Sequence, residues 1–100
     1  MIVIAGSVAV KPETRAEAVE ALLKMGAASR AEDGCNTYQF AADLADPNVI
    51  VVLEVWESAE ILERHFATPH MAEFTGKLGQ YVAGDMNVVR YEISSSGPLF

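Results

Sequence analysis

The chain has 100 residues, of which 51% are hydrophobic and 21% are charged, and its formal net charge is −7. This length and composition indicate one compact domain and exclude a disordered chain. Nucleic-acid binding is not expected, because the seven basic residues are scattered and form no cluster for phosphates. No apolar run reaches the roughly 20 residues of a membrane helix. The single cysteine, Cys35, allows no internal disulfide, and we expect a cytoplasmic protein.

The first third of the chain predicts a strand followed by a helix. Residues Ile2–Val10 are apolar at both alternating positions, which is typical of a strand buried on two faces. Pro12 and Glu13 mark a helix start, since proline suits the first helical position and a carboxylate suits the helix N-terminus. Asp33-Gly34 predicts the turn after the helix. The expected core-facing stripe of this helix consists of Ala16, Val19, Leu22, Leu23, Gly26 and Ala27.

Two further strands are predicted to form a hairpin. Residues 35–44 read as a strand with Asn36, Tyr38 and Phe40 on one face. The turn residues 46–48 connect it to an apolar run that begins at Val49 and ends at the only tryptophan, Trp56.

The last part of the chain predicts two helical segments, a strand and a tail. Ser58 is a suitable N-cap for the first segment, and Pro69 restarts the helix at a new angle. The final strand is expected over residues 86–93. We expect one domain over residues 1–94, and the composition of residues 95–100 is that of a flexible tail.

The predicted order of elements is therefore βαββαβ, the pattern of an α+β ferredoxin-like sandwich with an antiparallel sheet. Two helices that pack on the same side of such a sheet cover only one of its faces. Strands one, three and four are nevertheless apolar at both alternating positions. We therefore expect a second copy of the chain to cover the other face, which would give a homodimer with an isologous interface.

The joint between the third strand and the second helix contains the best candidates for a functional site. Glu54, Trp56 and His65 are expected to lie within reach of one another there. His65 is a candidate general base, because an ordinary imidazole titrates near neutral pH. The alternative is a core histidine bound to a backbone carbonyl or to Glu54. For Glu54, pairing with Arg90 or with a second subunit competes with a role as a base of raised pKa.

Other residues complete the candidate pocket. Asn36 and Tyr38 could donate hydrogen bonds to a ligand, and His70 could line the mouth of the cavity. Met71 and Phe74 are expected in the cavity wall or in the core. The two histidines show no H-x-x-x-H or similar spacing, so neither a metal nor a cofactor is expected.

Three segments together resemble the antibiotic biosynthesis monooxygenase family. They are Gly34-Cys35-(x2)-Tyr38, Leu53-Glu54-Val55-Trp56-Glu57-Ser58 and His65-(x2)-Thr68-Pro69-His70. The resemblance implies a dimeric α+β barrel with a cavity in each subunit between sheet and helices. It implies no single reaction, because the family includes cofactor-independent monooxygenases, heme-degrading enzymes and small-molecule isomerases.

Two branches of that family can be compared with the chain residue by residue. The Asn, Trp and heme-ligating His of the heme-degrading branch correspond to Ser7, His65 and Thr75, so heme degradation is not expected. The polyketide-oxidising branch shares Trp56, but its Asn and Tyr correspond to Val52 and Leu62.

The sequence therefore predicts a cofactor-independent monooxygenase of a small aromatic or quinol-like compound, with His65 as the base. Two alternatives use the same pocket. One is an isomerase or another proton-transfer enzyme, and the other is a dimer that binds a small molecule without catalysis.

Overall fold

A computed structural model describes all 100 residues, and its elements follow the predicted order. The strands are β1 (Ile2–Val10), β2 (Cys35–Ala42), β3 (Val49–Trp56) and β4 (Val82–Glu92). The helices are α1 (Arg15–Arg30), α2 (Ala59–Phe66) and α3 (Pro69–Leu78), and a 3-10 turn, Pro12–Thr14, precedes α1. A membrane-spanning helix is absent, and the longest helix, α1, has 16 residues.

The four strands form one antiparallel sheet in the order β2-β3-β1-β4. Ile2 pairs with Trp56 on one side and with Glu92 on the other, so these three side chains share a face. The long connection from β1 through α1 brings β2 to one edge, and the connection through α2 and α3 brings β4 to the other. This is the predicted α+β ferredoxin-like fold, and the prediction is confirmed.

The core lies between the helices and the sheet face that carries the even-numbered residues of β1 and β3. One part, beneath α1, is apolar throughout and is formed by Val8, Val10, Ala18, Leu22, Ile50 and Tyr81. The other part, beneath α2, is formed by Ile2, Met25, Tyr38, Trp56 and Leu62. Burial of these side chains is the main favourable contribution to folding.

The opposite face of the sheet is apolar but uncovered by this chain. Val51 and Leu53 are each 39% exposed and Tyr91 is 50% exposed, whereas Ile50 and Val52, their neighbours along β3, are 3% and 5% exposed. The two-faced apolar pattern is therefore present in the folded chain. The second copy expected on that face stays a prediction.

Several boundaries differ from those predicted. The strand β4 begins at Val82, four residues early, because Gly84 and Asp85 continue the strand beside an irregularity between Val8 and Val10 of β1. The strand β2 ends at Ala42, two residues early. Residues 93–100 form neither helix nor strand, and the domain boundary expected at residue 94 stays a prediction.

The buried stripe of α1 also differs from the predicted one. Leu23 is 67% exposed, and Ala16 and Ala27 are exposed as well. The helix instead buries Ala18, Leu22, Met25, Gly26 and Ser29. Only Leu22 and Gly26 belong to both sets, because small and apolar residues occur on several faces of α1 and the sequence does not single out the face that meets the sheet.

The break between α2 and α3 follows the predicted signals. The Ser58 hydroxyl accepts a hydrogen bond from the Ile61 N–H at 3.3 Å and caps α2. The Thr68 hydroxyl accepts one from the Met71 N–H at 3.3 Å, and Pro69 occupies the first turn of α3. The chain therefore changes direction between His65 and His70.

Candidate functional site

Glu54 and Trp56 lie on the helix-covered face of β3 and are bonded to each other. The Trp56 indole is fully buried, and its Nε1–H donates a hydrogen bond to Glu54 Oε1 at 2.9 Å. Burial raises the pKa of Glu54, and this effect outweighs the opposing effects of the indole hydrogen bond and of His65. The expected pairing with Arg90 is wrong. Arg90 Nη1 lies 3.8 Å from Glu63 Oε1, and the indole reaches Glu54 because residues two apart on a strand share a face.

His65 is the most buried ionisable side chain of the site. It lies in the last turn of α2, is 1% exposed, and places its ring centroid 4.5 Å from that of Trp56. Its Nδ1 lies 2.7 Å from Glu32 Oε2. The expected partners, a backbone carbonyl or Glu54, are therefore not the ones observed.

Glu32 is a functional candidate that the sequence does not predict. It lies in the turn between α1 and β2, and its Oε2 also lies 2.7 Å from His70 Nε2 in the first turn of α3. Both imidazoles thus meet a single carboxylate oxygen. A carboxylate in a short polar turn is ordinarily solvated, so the sequence carried no signal that distinguished Glu32 from the other acidic residues.

The shared oxygen defines which ring nitrogens carry protons. A carboxylate can only accept, so each contact is a hydrogen bond when His65 is protonated at Nδ1 and His70 at Nε2. A neutral His65 in that tautomer has an unprotonated Nε2, which makes no hydrogen bond in the structure. Glu32 and Trp56 therefore hold the ring in an orientation and a tautomer that leave one basic nitrogen free.

A cavity of about 320 Å³ adjoins His65, a size within the range of small-molecule sites. Its wall is mostly apolar and comes from the covered face of the sheet and from all three helices. Five of the predicted site residues line it, namely Tyr38, Glu54, His65, Met71 and Phe74. The remaining side chains with polar atoms are those of Thr75, Tyr81 and Arg90.

Tyr38 contributes a neutral phenol to this cavity. Its side chain is 4% exposed, and its ring packs edge to face against Phe40 and Trp56 at centroid distances of 5.3 and 6.1 Å. Burial raises the pKa of Tyr38, and the nearby Glu54 carboxylate raises it further. The phenol is therefore a hydrogen-bond donor, not a base, at neutral pH.

Three predicted pocket residues lie elsewhere. Asn36 is exposed, and its side-chain amide donates to Glu57 Oε2 at 2.9 Å, because an irregularity between Cys35 and Thr37 interrupts the alternation of β2. Trp56 is fully buried behind His65 and does not line the cavity. His70 instead lines a surface groove of about 460 Å³ between α1 and α3.

Cys35 has the environment of a structural residue. It is partly buried beside the apolar cluster under α2. Burial and the nearby Glu32 and Glu54 carboxylates raise the pKa of its thiol to about 11. The thiol is therefore protonated and weakly nucleophilic at neutral pH.

Comparisons with known proteins identify the family. Residues 1–77 match the family model described as antibiotic biosynthesis monooxygenase. The chain is 32% identical over 94 residues to the "Putative monooxygenase YcnE" of Bacillus subtilis, covering 94% of this chain and 99% of that protein. It is 34% identical over 74 residues to the "Probable quinol monooxygenase YgiN" of Escherichia coli, covering 66% of this chain and 67% of that protein.

A solved structure supports the same assignment at the level of the fold. The crystal structure of a putative antibiotic biosynthesis monooxygenase from Deinococcus radiodurans superposes with a TM-score of 0.89 at 24% identity. The superposition covers 100% of this chain and 99% of that one. The sequence match over most of the chain and the shared fold agree, and the protein belongs to the antibiotic biosynthesis monooxygenase family.

Proposed function

We propose that the protein is a cofactor-independent monooxygenase of a small aromatic or quinol-like compound, with His65 as its general base. The observation that carries the proposal is the buried His65–Glu32 pair at the wall of a mostly apolar cavity. A base that is oriented by a carboxylate and exposed only toward a cavity is the arrangement that proton abstraction from a bound molecule requires.

The proton transfer uses each member of the pair differently. His65 Nε2 accepts the proton of a phenolic O–H, which leaves an electron-rich phenolate in the cavity. The imidazolium that forms is stabilised by the Glu32 carboxylate, 2.7 Å from Nδ1. Trp56 fixes the plane of the imidazole, so that the ring needs no reorientation during the transfer.

The oxidation then needs only dioxygen as a co-reactant. The quinolate transfers one electron to O2, and the resulting semiquinone and superoxide combine into a peroxide at a ring carbon. The O–O bond breaks as the imidazolium returns its proton and the ring carbon loses its hydrogen. One oxygen atom stays on the ring and the other leaves as water. A hydroquinone and O2 thus give a hydroxyquinone and H2O, and the substrate supplies all four electrons.

The cavity wall suits a flat apolar ring with few polar groups. Met71 and Phe74 of α3 would contact the ring, and the neutral Tyr38 phenol would donate a hydrogen bond to a substrate oxygen. Glu54 is bonded to the indole and has a raised pKa. We assign it to the edge of the substrate, where its protonated form can also donate.

The names of two relatives agree with this reaction type. One is described as a putative monooxygenase and the other as a probable quinol monooxygenase. Their identities to this chain, 32% and 34%, support the class of reaction and do not specify the substrate.

The proposed enzyme acts as a homodimer. The support is the uncovered apolar face of the sheet, which includes Val51, Leu53 and Tyr91 at 39–50% exposure. A second copy that packs sheet to sheet buries this face in both chains and leaves the helix-side cavities separate.

An oxygen-uptake measurement with a panel of hydroquinones tests the function. The parent protein should consume O2 above the rate of uncatalysed autoxidation, and one oxygen atom from 18O2 should appear in the product. His65→Gln should lower kcat at least 100-fold, because the substitution removes the base. His70→Gln should lower it less than 10-fold, because the contact between His65 and Glu32 remains.

Three outcomes would contradict the proposal. Equal O2 uptake by the parent and His65→Gln would show that His65 is not the base. Conversion of a substrate under anaerobic conditions, with no O2 requirement, would instead favour an isomerase that uses the same base. Ligand-induced thermal shifts without any product would favour a binding protein.

A further inference from the structure

The cluster formed by Glu32, His65 and His70 has the composition of a metal site. Its three donor atoms, Glu32 Oε2, His65 Nδ1 and His70 Nε2, lie within 4.8 Å of one another. They come from three different elements: the turn after α1, the end of α2 and the start of α3. We propose that this cluster binds a divalent first-row transition ion such as Zn²⁺, and that the bound ion switches His65 off as a base.

The donor types and their number fit such an ion. Imidazole nitrogen at about 2.0–2.1 Å and carboxylate oxygen at about 2.0–2.2 Å are ordinary zinc ligands, and sites with two His and one carboxylate keep a fourth position open. Around a tetrahedral ion the donors stand roughly 3.3 Å apart at those bond lengths. The two observed nitrogen–oxygen distances of 2.7 Å therefore have to widen by about 0.6 Å. The two nitrogens, which lie within 4.8 Å of each other, have to come to the same spacing of roughly 3.3 Å. Glu32 and His70 are the side chains that would move, because both are partly exposed whereas His65 is buried.

The cluster combines a rigid ligand with accessible ones. His65 is 1% exposed and packed against Trp56, so its Nδ1 has a fixed position before an ion arrives. The side chains of Glu32 and His70 are 16% and 23% exposed, so an ion can reach them from water. His70 also lines the groove between α1 and α3, which opens a route that does not pass through the cavity. The net charge of −7 favours the approach of a cation.

The ion and the proposed proton transfer exclude each other. A neutral imidazole that coordinates through Nδ1 carries its proton on Nε2. Nε2 is the nitrogen that must be unprotonated to accept a proton from a substrate. Coordination also engages Glu32, which otherwise stabilises the imidazolium. Inhibition by the ion thus rests on the proposed function, whereas binding of the ion does not.

Binding is tested first without any substrate. Isothermal titration of the full, metal-stripped chain with ZnCl2 at pH 7.5 should give one ion per chain with a Kd of about 10 μM or tighter. Glu32→Gln and His70→Gln should each weaken binding at least tenfold. Glu73→Gln is the matched control, because Glu73 lines the same groove and lies outside the cluster; it should leave the Kd within twofold of the parent.

A spectroscopic measurement keeps the test independent of how the variants fold. The chain contains only two histidines, so long-range ¹H–¹⁵N NMR of the parent can resolve both rings. Zn²⁺ should shift the Nδ1 resonance of one ring and the Nε2 resonance of the other. Unchanged histidine resonances at saturating Zn²⁺ would overturn the proposal, as would no saturable binding below about 100 μM. An equal Kd for the parent and both cluster variants would overturn it as well.

The inhibitory effect is measured separately. Zn²⁺ should abolish O2 uptake by the parent over the same concentration range in which it binds, and EDTA should restore the uptake. A protein that binds Zn²⁺ but shows no O2 uptake would refute the proposed function and leave the metal site in place. A protein that consumes O2 equally with and without bound Zn²⁺ would refute the switch.

Discussion

The two faces of the single sheet are built from similar residues but serve different environments. Ile50 and Val52 point toward the helices and are almost fully buried, whereas Val51 and Leu53, next to them on β3, are each 39% exposed. The two faces differ more in their polar residues than in their apolar ones. Glu54 lies on the covered face and adjoins the buried His65, while the central strands carry no charged residue on the other face.

This difference underlies the two proposals made for the sheet: chemistry on the face covered by the helices, and self-association through the uncovered face, here called the open face. A titratable group within a core costs free energy unless its partners are provided, and here Trp56 and Glu32 provide them. A purely apolar surface, by contrast, can be buried against a complementary apolar surface without any polar partner.

The largest effect is expected on the covered face. Trp56→Ala should lower the free energy of unfolding by about 3–5 kcal/mol, because a fully buried indole leaves a cavity that the sheet cannot close. Tyr91→Ala is the matched aromatic control on the open face, where the side chain is 50% exposed; its cost should be below about 1 kcal/mol.

Both variants are to be compared by urea denaturation in a Leu53→Glu background, so that self-association does not contribute. Similar destabilisation by the two substitutions would contradict the division between the faces.

The second effect concerns association through the open face. The parent should sediment as a dimer at micromolar concentration. Leu53→Glu should sediment as a monomer, because an isologous interface over this face would bury a carboxylate from each copy without a partner. Glu63→Lys, a change of charge on the exposed surface of α2, serves as a control and should stay dimeric. A parent that sediments as a monomer would remove the role assigned to the open face.

The smallest effect concerns Glu54 and pH. Burial raises its pKa above the ordinary value of 4.5, so the folded chain holds this proton more tightly than the unfolded chain does. Stability contributed by the protonated group is present below pH 4.5 and is lost as the pH rises through the raised pKa. Glu54→Gln keeps an acceptor for the Trp56 indole and removes the charge. It should therefore raise the melting temperature at pH 7 and change it little at pH 4.

The reverse pattern, with stabilisation by Glu54→Gln at pH 4 only, would mean that the carboxylate is stabilised and not penalised by its surroundings. Glu57→Gln is the control, because Glu57 is exposed. Its effect on the melting temperature should be about the same at pH 4 and at pH 7.

The sequence predicts those features of the structure that depend on residues close together in the chain. The pairing of Glu54 with Trp56 on one face of β3 follows from the two-residue period of a strand, although the bond between them was not foreseen. Ser58 and Pro69 marked the starts of α2 and α3 because caps and prolines act on the adjacent backbone. The fold followed from the order of such elements.

The sequence did not predict contacts that depend on segments far apart in the chain or on a backbone irregularity. Glu32 precedes His65 by 33 residues, and only the assembled fold brings the turn after α1 beside α2. Strict alternation predicts Asn36 on the face of Tyr38, but the irregularity at the start of β2 interrupts that alternation. The pairing of Glu54 with Arg90 ignored a closer donor on the same strand. Residue types thus predicted most of the residues of the candidate site but not all of the contacts between them.

The break at Thr68–Pro69 has a mechanical consequence. In a continuous helix, residues five apart such as His65 and His70 would differ in direction by about 140° and could not meet one oxygen. The break makes their meeting possible, and it also gives α3 an axis of its own. The same helix supplies His70 to Glu32 and Met71 and Phe74 to the cavity wall. The His70–Glu32 contact therefore ties one wall of the cavity to the turn after α1, and the position of that wall and the number of histidines on Glu32 depend on the same helix.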